Sequence, residues 1–143
     1  MVIGLVKGVY QILSILDIKE LKKENKYILG FSMFILIFGI IYEMFSHGVI
    51  SYFMIFAFTI PLINYIFNLV IINNSIRIKT ISKNLFSSSI ITFTLYSVLK
   101  GILDIYGTTN SLINIYLIIG ILLLITSVFI NQLSNWHVYI KIV

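Results

Sequence analysis

Four long apolar runs, separated by short polar stretches, occupy most of the chain, at about residues 27–45, 49–72, 85–106 and 111–130. Each holds roughly 20 residues, and at ~1.5 Å per residue that length crosses a hydrocarbon core of ~30 Å. Each therefore predicts a membrane-spanning helix. Ser46–Gly48 and Gly107–Asn110 leave room only for tight turns, so consecutive spans should run antiparallel. The expected fold class is an all-α integral membrane protein, four transmembrane helices in two antiparallel hairpins.

Residues 1–19 (MVIGLVKGVYQILSILDIK) are apolar but interrupted. Gly4, Lys7, Gly8, Gln11, Ser14 and Asp17 fall on one side of a helix, which predicts an amphipathic helix lying in the headgroup plane. A cleaved signal peptide would need positive charge ahead of the apolar region and a small-residue cleavage site, and the stretch has neither. A fifth span fits the length but would set Lys7, Gln11 and Ser14 at depth. The chain thus divides into an interfacial helix, 1–19, and a four-helix transmembrane domain, 20–143. The tail of that domain, 131–143, carries Trp136, His137, Tyr139 and Lys141, which suit a membrane–water boundary.

Basic residues mark one side of the membrane. Lys19, Lys22, Lys23 and Lys26 precede the first span, and Arg77, Lys79 and Lys83 lie in the polar loop 73–84, whereas the two short turns have none. The positive-inside rule then sets both termini on the cytoplasmic side. A bacterial cytoplasmic membrane is the expected location, with an organelle inner membrane as the alternative.

The third span carries charges of both signs. Ser89, Thr92, Tyr96, Lys100 and Asp104 recur every three or four residues and form one polar stripe on a helix. The threading sets Glu43, near the end of the first span, at the depth of Lys100 and Asp104, with His47 just beyond. Intramembrane charges are costly and tend to pair or to line a cavity. A Lys100–Asp104 pair with Glu43 reaching across would make an ion or proton relay, or a polar socket for a partner helix. The plainer alternative has Lys100 snorkelling outward and both carboxylates staying wet at the interface. In the second span, Pro61 predicts a kink near residues 57–61. Asn64 and Asn68, four apart, predict a face turned toward a neighbouring helix, as packing contacts or as a substrate site. Ser97 and Gly101 would let another backbone approach the third helix.

Composition agrees and excludes several classes. The 143 residues are 59% hydrophobic and 10% charged, too little charge to cover a water-facing surface, for which about 25% is usual. Cysteine is absent, so there is no disulfide framework, thiolate metal site or cysteine nucleophile. The net charge of +5 lies mostly in the two clusters beside apolar runs, which fits topology signals and anionic headgroups rather than nucleic acid. Ala57, Arg77 and Pro61 are the only residues of their types amid abundant Ile, Asn, Phe, Tyr and Lys, a bias that points to an AT-rich genome. No zinc, phosphate-loop or serine-elbow motif occurs, so neither enzyme activity, a cofactor nor a metal is expected. The sequence leaves two functional readings. One is an accessory, assembly or immunity-type subunit that binds another integral membrane protein through the polar face of the third span. The other is a homo-oligomeric channel or small transporter using Glu43, Lys100 and Asp104.

Overall fold

The structure is a computed structural model that describes the backbone of residues 2–74 and 79–140 and the side chains of residues 18–74 and 79–133. Arg77 and the side chains of residues 1–17, Trp136, His137, Tyr139 and Lys141 lie outside the described residues. Among the described residues every regular element is helical: α1 (Val2–Met44), α2 (Tyr52–Phe56), α3 (Thr59–Asn74), α4 (Thr80–Tyr106), a single 3-10 turn at Ser111–Ile113, and α5 (Asn114–Ile140). Among the described residues, four stretches are long and apolar enough to cross a membrane: Ile18–Met44, Tyr52–Asn74, Thr80–Tyr106 and Ser111–Leu133.

The largest departure from the sequence reading is α1, one unbroken helix of 43 residues. The charge run KELKKENK, expected to separate an interfacial helix from the first span, is helical throughout. Lys, Glu and Leu are strong helix formers, and no Gly or Pro falls between Gly8 and Gly30 to interrupt them. Helix also takes in both ends of the expected polar loop 73–84. The α3 helix continues to Asn74, and α4 begins at Thr80 instead of Leu85.

Pro61 does more than kink the second span. The helix breaks at Ala57–Phe58, giving α2 and α3. A proline has no N–H for the carbonyl four residues back. The Ala57 carbonyl instead accepts from the Ile60 N–H at 3.3 Å, and Ser32 Oγ on α1 donates to the Phe58 carbonyl at 2.9 Å.

The first turn is longer than Ser46–Gly48, since no helix resumes until Tyr52. His47 (φ 53°) and Gly48 (φ 90°) are both left-handed there. The second turn opens on Gly107 at φ 66°, where the Thr108 N–H reaches back to the Leu103 carbonyl and seals the end of α4.

Packing follows the order α1, α2–α3, α4, α5, with α1 resting chiefly on α3 and α5 chiefly on α4. The contacts that join the helices are mostly polar or tight. Ser82 and Ser127 exchange hydrogen bonds, each hydroxyl donating to the other's carbonyl at 2.8 and 2.7 Å. Ser97 Oγ donates to the Phe53 carbonyl at 2.7 Å, and Gly101 lies against Met54 so closely that a Cβ there would come 2.8 Å from the Met54 nitrogen. The approach expected at Ser97 and Gly101 is thus made by the backbone of α2.

Polarity is inverted relative to a water-soluble bundle. Ser32, Asn64, Asn68, Ser89 and Thr94 are buried, while Phe34, Ile37, Ile118, Leu122 and Phe129 are exposed. Water would favour the opposite partition, whereas lipid tolerates apolar side chains outside and requires polar ones to face protein.

Candidate functional site

Both expected carboxylates end up near helix C-termini, where the partial charge of the helix is negative and disfavours them. Glu43 is one residue from the end of α1 and Asp104 two from the end of α4. Donors answer both. Lys100 Nζ lies 2.8 Å from Asp104 Oδ1, one turn away on α4. Ser51, in extended conformation just ahead of α2, serves both acids at once. Its N–H donates to Glu43 Oε1 at 3.0 Å and its Oγ to Asp104 Oδ2 at 3.3 Å. The result is one connected line, Glu43–Ser51–Asp104–Lys100, with two formal negative charges and one positive.

This corrects one detail of the sequence reading. Glu43 does not reach Lys100 or Asp104 directly; Ser51 stands between them. Ser51 heads α2 without capping it by its side chain, so the preference of Ser for helix starts gave no signal of this bridging role.

Tyr96 joins the same site through an aromatic residue that the sequence did not single out. Phe53 packs edge-on against the Tyr96 ring at 6.3 Å between centroids, and Lys100 Nζ lies 5.9 Å from the centre of the Phe53 ring. That distance is within reach of a cation–π attraction. Lys100 and Asp104 each keep about a third of the side chain exposed, 31% in both cases. His47 is exposed in the neighbouring turn.

The rest of the expected stripe goes elsewhere. Thr92 is half-buried and its hydroxyl donates to the Ser88 carbonyl of its own helix at 2.8 Å. Ser89 is fully buried and its hydroxyl has no partner among the described residues. The face that α4 buries is Ser82, Ser89, Ile90, Thr94, Ser97 and Gly101, so of the stripe Ser89 alone lies within the packed face and the other four members run along its edge. Small residues take the centre because only they admit the neighbouring backbones.

Asn64 and Asn68 form a separate polar layer. Asn64 Nδ2 lies 3.4 Å from Ser87 Oγ on α4, and both asparagines are buried. Their Oδ1 atoms, and that of buried Asn25 on α1, have no partner among the described residues. Asn25 was not anticipated, because it sits inside the charge run. Nearby, Glu24 and Lys83 form an ion pair at 2.6 Å that ties α1 to α4. No three His, Asp or Glu residues gather as a metal ion would need among the described residues.

Comparison of the chain with known protein families, with characterised proteins and with solved structures finds no match.

Proposed function

We propose that this chain is a non-enzymatic integral membrane subunit, of accessory, assembly or immunity type, that binds another membrane protein through the Lys100–Asp104 edge of α4. The observation that carries the reading is a charged pair left one-third exposed at the edge of the face that α4 packs. An ammonium has three donors, and Lys100 commits one of them to Asp104. Each Asp104 oxygen holds one hydrogen bond and can accept another. A partner helix offering hydroxyl, amide or carboxylate groups would satisfy the remainder, as polar contacts do between spans.

In this reading the spans form two antiparallel hairpins, α1 with α2–α3 and α4 with α5, and both termini face the cytoplasm. At ~1.5 Å per residue α1 is about 65 Å long, against ~45 Å for a bilayer with its headgroups. The excess length lies at its N-terminal end, ahead of the lysine run.

The test is purification of the chain from its native membrane in mild detergent, with mass determination of what co-elutes. A foreign protein at fixed stoichiometry, lost on Lys100→Leu or Asp104→Leu, is the expected result. Variants that keep every wild-type partner would overturn it.

A second reading, a homo-oligomeric channel or small transporter, is favoured by the continuous Glu43–Ser51–Asp104–Lys100 line and by the unpartnered buried atoms of Asn25, Asn64, Asn68 and Ser89. It requires a clean homo-oligomer and ion or proton flux into liposomes that disappears with Glu43→Gln. Vesicles no leakier than empty ones would exclude it.

A further inference from the structure

The continuity of α1 turns the charge run into a surface with a defined geometry. At about 100° per residue, Lys19, Lys22, Lys23 and Lys26 fall within an arc of about 100°. All four are exposed. Ile18, Leu21, buried Asn25, Ile28 and buried Ser32 make the inward face of the same helix. Glu20 and Glu24 lie on the other flank, about 130° from the centre of the lysine arc. Glu24 is taken up by Lys83 of α4, at 2.6 Å, so its charge is answered away from the lysines. None of the four lysines is ion-paired among the described residues.

What lies below the lysines on this face decides the ligand. Tyr27 is exposed immediately after Lys26, as an aromatic residue at a membrane boundary would be. The lysine arc then continues down the helix as Gly30, Met33, Phe34, Ile37 and Ile41, all exposed, and nothing lies within 4 Å of the Gly30 Cβ position. From Lys19 to Lys26 the helix rises about 10 Å, similar to the depth of a headgroup layer. One face therefore offers ammonium groups at headgroup depth and an apolar track beneath. An acidic peptide could use the first of these but not the second. A molecule with an anionic head and acyl chains uses both.

We infer that the Lys19–Lys26 face of α1 is a binding site for anionic phospholipid, the lysines holding headgroup phosphates and Gly30, Phe34 and Ile37 receiving an acyl chain. It depends on the membrane assignment of the four spans and not on the partner proposed for α4. Retention in membranes after alkaline carbonate extraction tests that assignment separately.

The experiment uses the full chain in a neutral detergent, with added dioleoyl phosphatidylglycerol or dioleoyl phosphatidylcholine. Binding is read by native mass spectrometry and by the shift in thermal midpoint. The wild-type chain should retain phosphatidylglycerol preferentially, and the preference should fade as salt rises from about 0.05 M to about 0.5 M. Lys22→Gln/Lys23→Gln should weaken that binding roughly tenfold or more, while Lys22→Arg/Lys23→Arg and Lys79→Gln should keep it. The wild-type comparison needs no variant to fold. Equal retention of the two lipids overturns the inference, as does a preference that survives the glutamine variant. A midpoint shift reproduced by inorganic phosphate, or a polyglutamate peptide that binds and displaces phosphatidylglycerol, overturns it in favour of a free anion or a protein partner.

Discussion

At the scale of single residues, the glycines grade the tightness of the helix contacts. A Cβ at Gly101 would meet the Met54 backbone nitrogen and side-chain Cβ at 2.8 Å. Backbone cannot step aside, so Gly101→Ala should destabilise by about 1–3 kcal/mol. At Gly120 the obstacle is the Phe93 ring, at 2.7 Å, which can rotate, so Gly120→Ala should cost less. Gly30→Ala meets nothing within 4 Å and should be neutral or slightly stabilising through helix propensity. Thermal unfolding of the three variants in one detergent checks the order, and a Gly101→Ala protein as stable as Gly30→Ala would contradict this packing. The Ser82–Ser127 exchange makes a second case. Each Ser→Ala change should cost about 0.6–1.7 kcal/mol, and the double variant should fall short of the sum, because both bonds belong to one contact. Glu43, Lys100 and Asp104 were legible as a group, since charges stand out in apolar runs. Ser51, Ser82 and Ser127 were not, because a serine in a span has no local signature of which distant carbonyl or carboxylate it will meet.

At the scale of elements, the α2–α3 break has a cause that the sequence displays and a consequence that it does not. Pro61 is unmistakable as a helix breaker. That the bend turns the Phe58 carbonyl toward Ser32 as a second donor beside the Leu62 N–H, and that Ser51 and Phe53 lie against α4, depends on the arrangement of three helices. Pro61→Ala restores an N–H for the Ala57 carbonyl and favours a continuous helix. In that background Ser32→Ala should lose most of the roughly 1 kcal/mol it costs in the wild-type protein, because a straightened helix turns the Phe58 carbonyl, which already accepts the Leu62 N–H at 3.3 Å, along its own axis and away from Ser32. A double-mutant cycle in mild detergent measures this, and equal Ser32→Ala costs in both backgrounds would show that the break does not create the contact. The spans themselves were legible to within a few residues, because apolar length is a property of the local sequence. The N-terminal extent of α1 was not. A charge run looks like a boundary, yet Lys and Glu propagate a helix once one has formed.

For the whole molecule, the inverted polarity and the charge distribution make one joint prediction about threading. Exposed Ile, Leu and Phe girdle the four spans, and the two turns holding His47 and Thr109 carry no basic residue. Lys22 lies midway along α1, ahead of its apolar stretch, and Lys79 stands at the start of α4, both among the basic clusters. Moving those clusters across a membrane would require translocating several lysines and an arginine, whereas the turns pass with a single histidine. His47 and Thr109 should therefore share one side and Lys22 and Lys79 the other. The absence of cysteine makes the test clean, since each introduced thiol is the only one in the chain. Single variants His47→Cys, Thr109→Cys, Lys22→Cys and Lys79→Cys are treated in intact cells or sealed vesicles with a membrane-impermeant maleimide. Labelling of the two turn variants from outside, and of the two lysine variants only after permeabilisation, is the expected outcome. The reverse pattern would put the Lys19–Lys26 face on the outer leaflet, with both hairpins intact but inverted. Labelling of His47→Cys and Thr109→Cys from opposite sides would be more severe, because it requires an odd number of crossings between them. In that case Glu43, Ser51, Asp104 and Lys100 could not meet at one depth, and the charged edge on which the proposed partner binding rests would not exist in the membrane.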